Sequence, residues 1–229
     1  MRYEGNKFYL AVDNIIFGFK DDALHLLLFK REVTPGAGEW SLIGAFVNIQ
    51  ENVDDAAERV LFELTGLKNL FMEQLHCFGD ADRDPGGRVI SVAYWSLIKV
   101  NINELELNIE NHIAKWFKLD EVPSLIFDHS EMVSMAITKL RERARFYPVG
   151  FELLPKEFTM PQLLKVYEAI FDSKIDDRNF RKKILKSGLL LNLNKKDKTT
   201  SKKGSFLYQF DEDRYKTLQD KGYNFDFSF

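Results

Sequence analysis

The sequence predicts an α/β domain around a mixed sheet, followed by a smaller α+β domain. Up to about residue 147, apolar segments typical of strands alternate with amphipathic helices. After Pro148 the order becomes helix, turn, helix and β-hairpin, which is typical of a winged helix-turn-helix. Charge divides the chain in the same way, since eleven basic and three acidic residues lie between Lys174 and Lys203 in a chain of net charge -3. We therefore predict two domains, residues 1–148 and residues 149–229.

Composition excludes several classes of protein. No apolar run approaches the roughly 18 residues that a membrane span needs, and no apolar signal-peptide region opens the sequence. The single Cys77 excludes an internal disulfide and suits a reducing cytoplasm, and we expect its side chain in the core. The four histidines lack the spacing of metal ligands. We expect a cytoplasmic protein with no membrane partner, no metal and no cofactor.

Strands occupy the first part of the chain. Aromatic and aliphatic residues predict strands at 6–12, 15–19 and 24–32, the last one after a polar turn. A loop rich in proline and glycine then precedes Trp40.

A helix follows this loop. Its apolar stripe recurs at three- and four-residue spacing and consists of Val53, Ala56, Ala57, Val60, Leu61 and Leu64. Asp54 and Asp55 place negative charge in the first turn, where the helix dipole favours it, and Gly66 suits the C-cap.

The rest of the first domain is predicted as strands and one long helix. Residues 70–78 and 88–100 read as strands joined by a polar loop. The sequence AKWFKLDEVP continues the sheet, and His129–Phe146 has the pattern of an amphipathic helix with basic residues near its end.

The stretch from Trp40 to Leu67 resembles the Nudix box, in which carboxylates of a helix hold Mg²⁺ against a pyrophosphate. The residues that match the box are Glu51, Arg59, Glu63, Gly66 and Leu67. Ala45 stands in place of the first glycine, and Val60 and Leu64 stand in place of two metal-binding glutamates. Hard divalent cations need several oxygen ligands, so one remaining carboxylate of three predicts a degenerate box. We expect a Nudix fold that is not an enzyme.

The second domain begins with a connector, residues 149–157, that we expect to be accessible to protease. Thr159 is a suitable N-cap for the next helix, and Pro161 is tolerated near its start. A second helix is predicted from Asp176 to Ser187, ending at Gly188, and two strands joined by a basic loop follow it.

Basic residues mark this domain as a candidate for DNA binding. A solvated basic face is the plain alternative for the helix alone, but a basic helix and a basic hairpin together favour nucleic acid. Helix residues near the N-terminus reach base edges, and hairpin lysines neutralise phosphates. The predicted DNA-binding residues are Arg178, Asn179, Arg181, Lys182, Lys186, Lys195, Lys196, Lys198, Thr199, Lys202 and Lys203.

A degenerate box followed by FTMPQLLKVYEAIF and DDRNFRKKILKSGLL resembles the Nudix-related transcriptional regulators over essentially the whole chain. The resemblance implies a Nudix-like domain that senses a small molecule and a winged helix that binds a palindromic double-stranded DNA operator. It also implies a homodimer acting as a repressor or activator.

Two effectors are consistent with this resemblance. ADP-ribose needs cations for its pyrophosphate and an aromatic ring for its adenine, whereas a pentose needs hydroxyl-binding groups and an apolar face. Candidates for ADP-ribose are Lys30, Arg31, Arg83 and Arg88; candidates for a pentose are Trp40, Asp80, Asp82 and Trp95. Loop solvation or core packing explains each single residue equally well. The altered box weakens the expectation that this domain binds a metal and a phosphate as its parent fold does. We therefore favour a sugar such as L-arabinose narrowly and expect a role in carbohydrate utilisation.

Two other functions stay open. A Nudix hydrolase acting on ADP-ribose or a related compound is disfavoured by Val60 and Leu64, and a Mg²⁺-dependent release assay distinguishes it. The other is an RNA-binding or structural module whose basic hairpin binds without sequence preference, and competition by nonspecific DNA would reveal it.

Overall fold

The computed structural model describes residues 5–66, 72–99, 106–109, 112–199, 203–222 and 225. It divides into two compact units, one formed by Met1–Gly18 with His25–Ile137 and the other by Phe19–Leu24 with Thr138–Phe229. The division falls inside the long helix His129–Phe146, so the domain limits at 148 and 149 stay a prediction. None of the helices in the described ranges has the length and apolar character that crossing a bilayer requires.

The described part of the first unit is built on one large sheet. Strands β1 to β8 are Tyr9–Lys20, Ala23–Lys30, Trp40–Ser41, Ile43–Phe46, Met72–Phe78, Val89–Lys99, Glu106–Ile109 and His112–Lys118. They are arranged in the order β5-β6-β1-β2-β8-β7, with β3 paired to β2 and β4 paired to β1. Helix α1, Val53–Thr65, follows β4, and helix α2, His129–Phe146, follows a 3₁₀ turn at Leu119–Glu121.

Strand β1 corrects the prediction of two separate strands at 6–12 and 15–19. The chain runs through Asp13 and Asn14 without a break because both buried side chains have partners. Ser91 Oγ donates to Asp13 Oδ2 at 2.6 Å, and Asn14 Nδ2 donates to the carbonyl of Ala57 at 3.0 Å. Polar residues that are hydrogen-bonded in this way do not interrupt a buried strand.

Helix α1 packs its apolar stripe on one face of the sheet. Ala56, Ala57 and Val60 are fully buried there, among the side chains of β1, β2, β4 and β6. The helix begins after Asn52, whose side chain accepts from the backbone N–H of Asp55 at 2.8 Å, and it ends at Gly66 with φ 71°. The predicted stripe and C-cap are confirmed; the side chain of Leu64 and the box residue Leu67 lie outside the described structure.

Strand β5 corrects the prediction for Cys77. The strand is paired with β6 at the end of the sheet order and carries an irregular register between Gln74 and His76. His76 and Cys77 are both exposed, so the core position expected for the cysteine was wrong. An edge strand with a bulge does not keep the strict alternation on which that expectation relied.

The second unit contains the predicted helix-turn-helix and hairpin. Helix α3 is Met160–Phe171 and helix α4 is Asp177–Ser187. Strands β9, β10 and β11 are Phe158–Thr159, Leu190–Asp197 and Ser205–Phe210, and helix α5 is Glu212–Asp220. The strands form a sheet in the order β10-β11-β9.

The local signals in this unit are confirmed. Thr159 and Gln162 form a reciprocal capping box at the start of α3, Asp176 caps α4, and Gly188 ends α4 with φ 67°. Strand β9 and helix α5 were not predicted.

The connector after α2 is partly packed and partly exposed. Val149, Leu153 and Leu154 are buried, and a 3₁₀ turn covers Val149–Phe151. A Cβ on Gly150 would lie 2.6 Å from the ring of Tyr167 in α3, so the backbone touches that helix directly. Glu152, Pro155, Lys156 and Glu157 are exposed in the same segment, so the accessibility of the connector to protease stays a prediction.

Candidate effector cleft and nucleic-acid interface

A cleft of about 380 Å³ lies in the first unit, beside the paired strands β1 and β4. Its walls combine apolar strand residues with cations, carboxylates and aromatic rings. The charged and aromatic residues that line it are Asp13, Phe29, Lys30, Arg31, Glu32, Phe46, Glu63, Arg83, Asp84, Phe127 and His129. Such a mixture suits a polar ligand that also carries an apolar ring.

A buried charge network lies at the cleft. The Arg83 side chain, 3% exposed, donates from Nε to Asp128 Oδ2 and from Nη2 to Asp128 Oδ1, both at 2.7 Å. The same Nη2 lies 3.7 Å from Asp13 Oδ2, which also accepts from Ser91. Burial alone would lower the pKa of Arg83, but Asp128 and Asp13 outweigh it and raise the pKa. The network therefore keeps Arg83 charged and fixes the loop that carries it.

His129, the first residue of α2, joins the same network. Its Nδ1 accepts the backbone N–H of Leu42 at 3.0 Å, and its Nε2 lies 3.7 Å from Asp13 Oδ1. Burial lowers the pKa of His129, against the opposing charges of Asp13 and Asp128. An acceptor at Nδ1 requires the proton on Nε2, so the neutral ring presents its N–H on the side of Asp13.

Gly44 allows β4 to pass close to Asp13. A Cβ at this position would lie 2.1 Å from Asp13 Oδ1 and 2.8 Å from the carbonyl oxygen of Val12. Neither a strand backbone nor a carboxylate held by three partners can retreat that far. Only glycine therefore fits at this wall of the cleft.

Arg31 and Phe127 form another wall. Arg31 Nε donates to the carbonyl of Pro35 at 2.7 Å, and its guanidinium carbon lies 5.5 Å from the centre of the Phe127 ring. Phe127 has φ 51°, a left-handed conformation that is unfavourable for a bulky side chain. The residue stands two positions before α2, and its ring also meets the His129 ring edge-on at 5.8 Å. The strain is located where the cleft meets the start of α2.

The residues of the Nudix box form an ion-pair network of their own. Arg59 donates to Glu51 at 2.6 and 2.9 Å and to Glu63 at 3.0 Å. Hydrogen bonds from Arg59, and next from the backbone N–H of Asn48, lower the pKa of Glu51 to about 2. Val60 is fully buried in the core.

This set of side chains does not fit Mg²⁺. The remaining carboxylates neutralise Arg59, and an aliphatic residue stands where a ligand is needed. In the described ranges, no three His, Cys, Asp or Glu side chains are grouped as metal ligands.

The structure places the predicted effector residues in different surroundings. Lys30, Arg31 and Arg83 line the cleft. The other five do not line it: Trp40, Asp80, Asp82, Arg88 and Trp95. Trp40 meets the ring of Phe117 edge-on, and Trp95 is 4% exposed. Asp80 and Asp82 are exposed, and Arg88 donates to the carbonyls of Gly79 and Asp80.

Sequence reasoning missed Asp13, Phe127 and His129, which line the cleft, and Asp128, which holds Arg83 there. One usable signal was present, because Asp13 and Asn14 interrupt a long apolar run that is otherwise buried. Buried polar residues inside such a run are informative about function. The histidine gave no signal because its partners are 87 and 116 positions away in sequence.

Helix α4 presents the predicted basic face. Phe180 and Ile184 are fully buried, as predicted. Four of the predicted DNA-binding residues of this helix are exposed: Arg178, Asn179, Lys182 and Lys186. Arg181, with its side chain 42% exposed, pairs with Asp177 one turn earlier at 2.8 Å. This pair must open before Arg181 reads a base.

The hairpin extends the basic surface. Lys195, Lys196, Lys198 and Lys203 are exposed, and Lys202 lies outside the described residues. Thr199 bonds to Asp197 through both its backbone N–H, at 2.8 Å, and its hydroxyl, at 2.9 Å. The DNA-contacting roles of these residues stay predictions.

An α/β unit with a polar cleft, joined to a basic winged helix, defines a DNA-binding regulator with a ligand-binding domain. Two family models match the chain: the NUDIX domain over residues 7–135 and the NrtR DNA-binding winged helix domain over residues 150–210. The chain belongs to the Nudix-related transcriptional regulators of the NrtR type. The predicted fold class, a Nudix-like α/β sandwich followed by a winged helix, is thereby confirmed.

Three relatives illustrate the similarity. The chain is 30% identical over 220 residues to the ADPR responsive transcriptional repressor NtrR of Acinetobacter baylyi, covering 94% of this chain and 85% of that one. It is 36% identical over 124 residues to an ADP-ribose pyrophosphatase of Methanocaldococcus jannaschii, covering 54% and 70%.

Shewanella oneidensis NrtR supplies two similar crystal structures. In complex with a 27mer DNA it has a TM-score of 0.77 and 26% identity, covering 96% of this chain and 99% of that one. Its NUDIX domain in complex with ADP ribose has a TM-score of 0.54 and 29% identity, covering 59% and 90%.

Proposed function

We propose that this protein is a transcriptional repressor whose cleft binds ADP-ribose and whose winged helix binds a palindromic operator, with two copies on each operator. The observation that carries the choice of effector is the lining of the cleft. It contains three of the four residues expected for ADP-ribose, Lys30, Arg31 and Arg83, and none of the four expected for a pentose.

ADP-ribose therefore replaces the sugar effector that the sequence favoured, and the expected role in carbohydrate utilisation is withdrawn with it. That preference relied on the loss of metal ligands from the box. Loss of the metal removes hydrolysis, but it does not remove the cations that hold a pyrophosphate. The A. baylyi repressor is responsive to ADP-ribose and the S. oneidensis domain was crystallised with ADP ribose, and both relatives support ADP-ribose as the effector.

The cleft offers each part of ADP-ribose a suitable partner. Lys30 is exposed, and Arg31 is anchored through Nε to a carbonyl, so both cations are available to a pyrophosphate. Phe127 and Phe46 present aromatic surface for the adenine ring. Arg83 is already neutralised by two carboxylates, and it serves chiefly to hold the cleft in shape.

Sequence-specific DNA binding is supported by the second unit. A fully capped helix with an exposed basic face and a lysine-rich hairpin form one continuous module. A winged helix reads one half-site, so a palindromic operator requires two copies of the chain related by two-fold symmetry.

The decisive experiment combines ligand and operator binding. An operator is first selected from a random duplex library, and its affinity is measured with and without ADP-ribose, NAD and L-arabinose. We expect ADP-ribose alone to raise the melting temperature and to change operator affinity. Arg31→Met should lose the response to ADP-ribose, whereas Arg88→Met, on the neighbouring loop and outside the cleft, should keep it. Selection of no operator, or a response to arabinose alone, would contradict the proposal.

A second candidate function, hydrolysis of ADP-ribose, is favoured by the 36% identity to a pyrophosphatase. We propose that this hydrolytic activity is absent. Val60 is buried in the core, and Arg59 forms ion pairs with the carboxylates of Glu51 and Glu63. Release of AMP and ribose phosphate is measured with Mg²⁺ and with Mn²⁺. Turnover on the order of 1 per second or faster, ordinary for an enzyme, would overturn this part of the proposal.

A further inference from the structure

The distal wing, defined as residues 195–199 and 203–206, carries an aromatic ring among its lysines. Phe206 is 44% exposed and lies opposite Lys196 in the β10–β11 register. The Lys196 Nζ lies 4.8 Å from the centre of the Phe206 ring, within the range of a cation–π interaction. One exposed aromatic residue is ordinary on a protein surface, so its significance depends on what surrounds it.

The strand that carries the distal wing is bent at a defined place. Asn192 pairs with Tyr208 and Lys196 with Phe206, so three residues of β10 face one residue of β11. Asn194, inside this bulge, has φ 55°, and its N–H donates to Asn192 Oδ1 at 2.9 Å. Bulges re-aim the side chains that follow them.

The far end of the hairpin is equally constrained. Gly204 has φ 68°, and a Cβ there would lie 2.9 Å from the carbonyl oxygen of Asp197. Strand β11 also carries a row of aromatic side chains on one face, Phe206, Tyr208 and Phe210. Phe210 stacks on Phe151 at 4.4 Å, while Phe206, four residues earlier on the same face, is exposed.

The positive charge around the Phe206 ring indicates which kind of molecule the distal wing binds. The distal wing carries exposed Lys195, Lys196, Lys198 and Lys203, and its one described acid, Asp197, is engaged with Thr199. A polyanion is the complementary surface, and the winged helix next to it is built for duplex DNA. Apolar side chains that enter a minor groove are found between such basic residues.

We propose that the Phe206 ring, backed by Lys196, contacts deoxyribose and base edges in the minor groove of the operator. The inference rests on the proposed function, which it deepens. The sequence assigned the lysines of the wing to phosphate contacts, and those depend on salt through counterion release. An aromatic contact instead adds affinity by burying apolar surface, and that contribution does not depend on salt.

The salt series separates these two contributions. For Phe206→Ala we expect about tenfold weaker binding to the selected operator, about 1.4 kcal/mol, at every salt concentration with an unchanged log–log slope. Lys195→Ala should instead flatten that slope by about 0.9 for one lost phosphate contact. Leu191→Ala is the matched control, since Leu191 is also exposed, at 46%, on the same hairpin but outside the distal wing. It should bind as the unchanged protein does.

A second pair of variants tests the bend without touching the ring. Asn194→Gly retains the left-handed conformation and should bind within twofold of the unchanged protein. Asn194→Val strains that conformation and should weaken binding about as much as Phe206→Ala. Phe206→Leu keeps an apolar side chain and should lose less than Phe206→Ala, and melting temperatures show that each variant is folded.

The outcomes are distinct. If the unchanged protein selects an operator but Phe206→Ala binds it equally well, the wing contact is refuted and the proposed function stands. If Phe206→Ala flattens the salt slope as Lys195→Ala does, the ring only positions a lysine and the inference is overturned. If no operator is selected at all, the proposed function itself fails.

Discussion

Replacing Arg83 by methionine should destabilise the protein far more than a surface arginine change does. The Arg83 side chain is 3% exposed, and it holds Asp128 through two hydrogen bonds of 2.7 Å and Asp13 across 3.7 Å. Methionine fills a similar volume but leaves a 9% exposed Asp13 side chain and a 17% exposed Asp128 side chain without their cation. Removing one partner of a buried ion pair costs about 3–5 kcal/mol.

The assay is thermal unfolding of the full-length protein, followed by circular dichroism. For a chain of this size, 1 kcal/mol shifts the melting temperature by roughly 2–4 °C, so the expected loss is roughly 6–20 °C. Arg88→Met is the control, because that guanidinium donates to two exposed carbonyls and should cost about 1 kcal/mol at most.

A second change tests the cause. Adding Asp128→Asn to Arg83→Met should recover part of the loss, because it removes one of the two unpaired charges. The reasoning is refuted if Arg83→Met costs no more than Arg88→Met, or if the double variant is less stable than additivity of the single changes predicts.

Three further predictions follow from the described contacts. Because burial lowers the pKa of His129, the unfolded chain binds a proton that the folded protein does not, and stability should fall as pH drops below about 6.5. Thermal melts from pH 7.5 to 5.5 measure this, and the melting temperature of His129→Asn should depend less on pH. Gly44→Ala forces a Cβ against Asp13 Oδ1 and should lower the free energy of unfolding by about 1–3 kcal/mol, as measured by unfolding. The variant should also lose ADP-ribose binding, as measured by thermal shift. Arg181→Ala should lose about 1–3 kcal/mol of the preference for the operator over a scrambled duplex, whereas Lys195→Ala should weaken both. Equal weakening of the two duplexes by Arg181→Ala would reverse the assignment of helix and wing.

Local signals account for what the sequence predicted well. The limits of α1 and α4 follow from an apolar stripe, a polar N-cap and a glycine in the left-handed conformation, all within one segment. The same kind of signal was available for α5, where Asp211 accepts from the N–H of Arg214 and two acids fill the first turn. It was overlooked because the strands before it already completed a winged helix.

The cleft escaped prediction because its contacts are distant in sequence. Asp13 meets Ser91 across 78 positions, and His129 meets Leu42 across 87. The periodicity of apolar residues reveals helices and strands, but it does not reveal which distant residues come into contact. Arg31, chosen for its charge, lines the cleft, and its role toward an effector stays a prediction. Whether a side chain faces a cleft or a core depends on the strand register, as the buried Trp95 shows.

The end of α2 packs within the second unit, and this limits how that part of the helix tolerates insertions and deletions. A helix keeps a fixed phase, so one inserted residue turns everything after it by about 100° and advances it by about 1.5 Å. An insertion between Arg141 and the end of α2 at Phe146 would therefore move Ile170 away from Arg141, whose Nε now donates to the Ile170 carbonyl at 3.0 Å. Length changes in this last part of α2 therefore preserve that hydrogen bond only in steps near whole turns, three, four or seven residues.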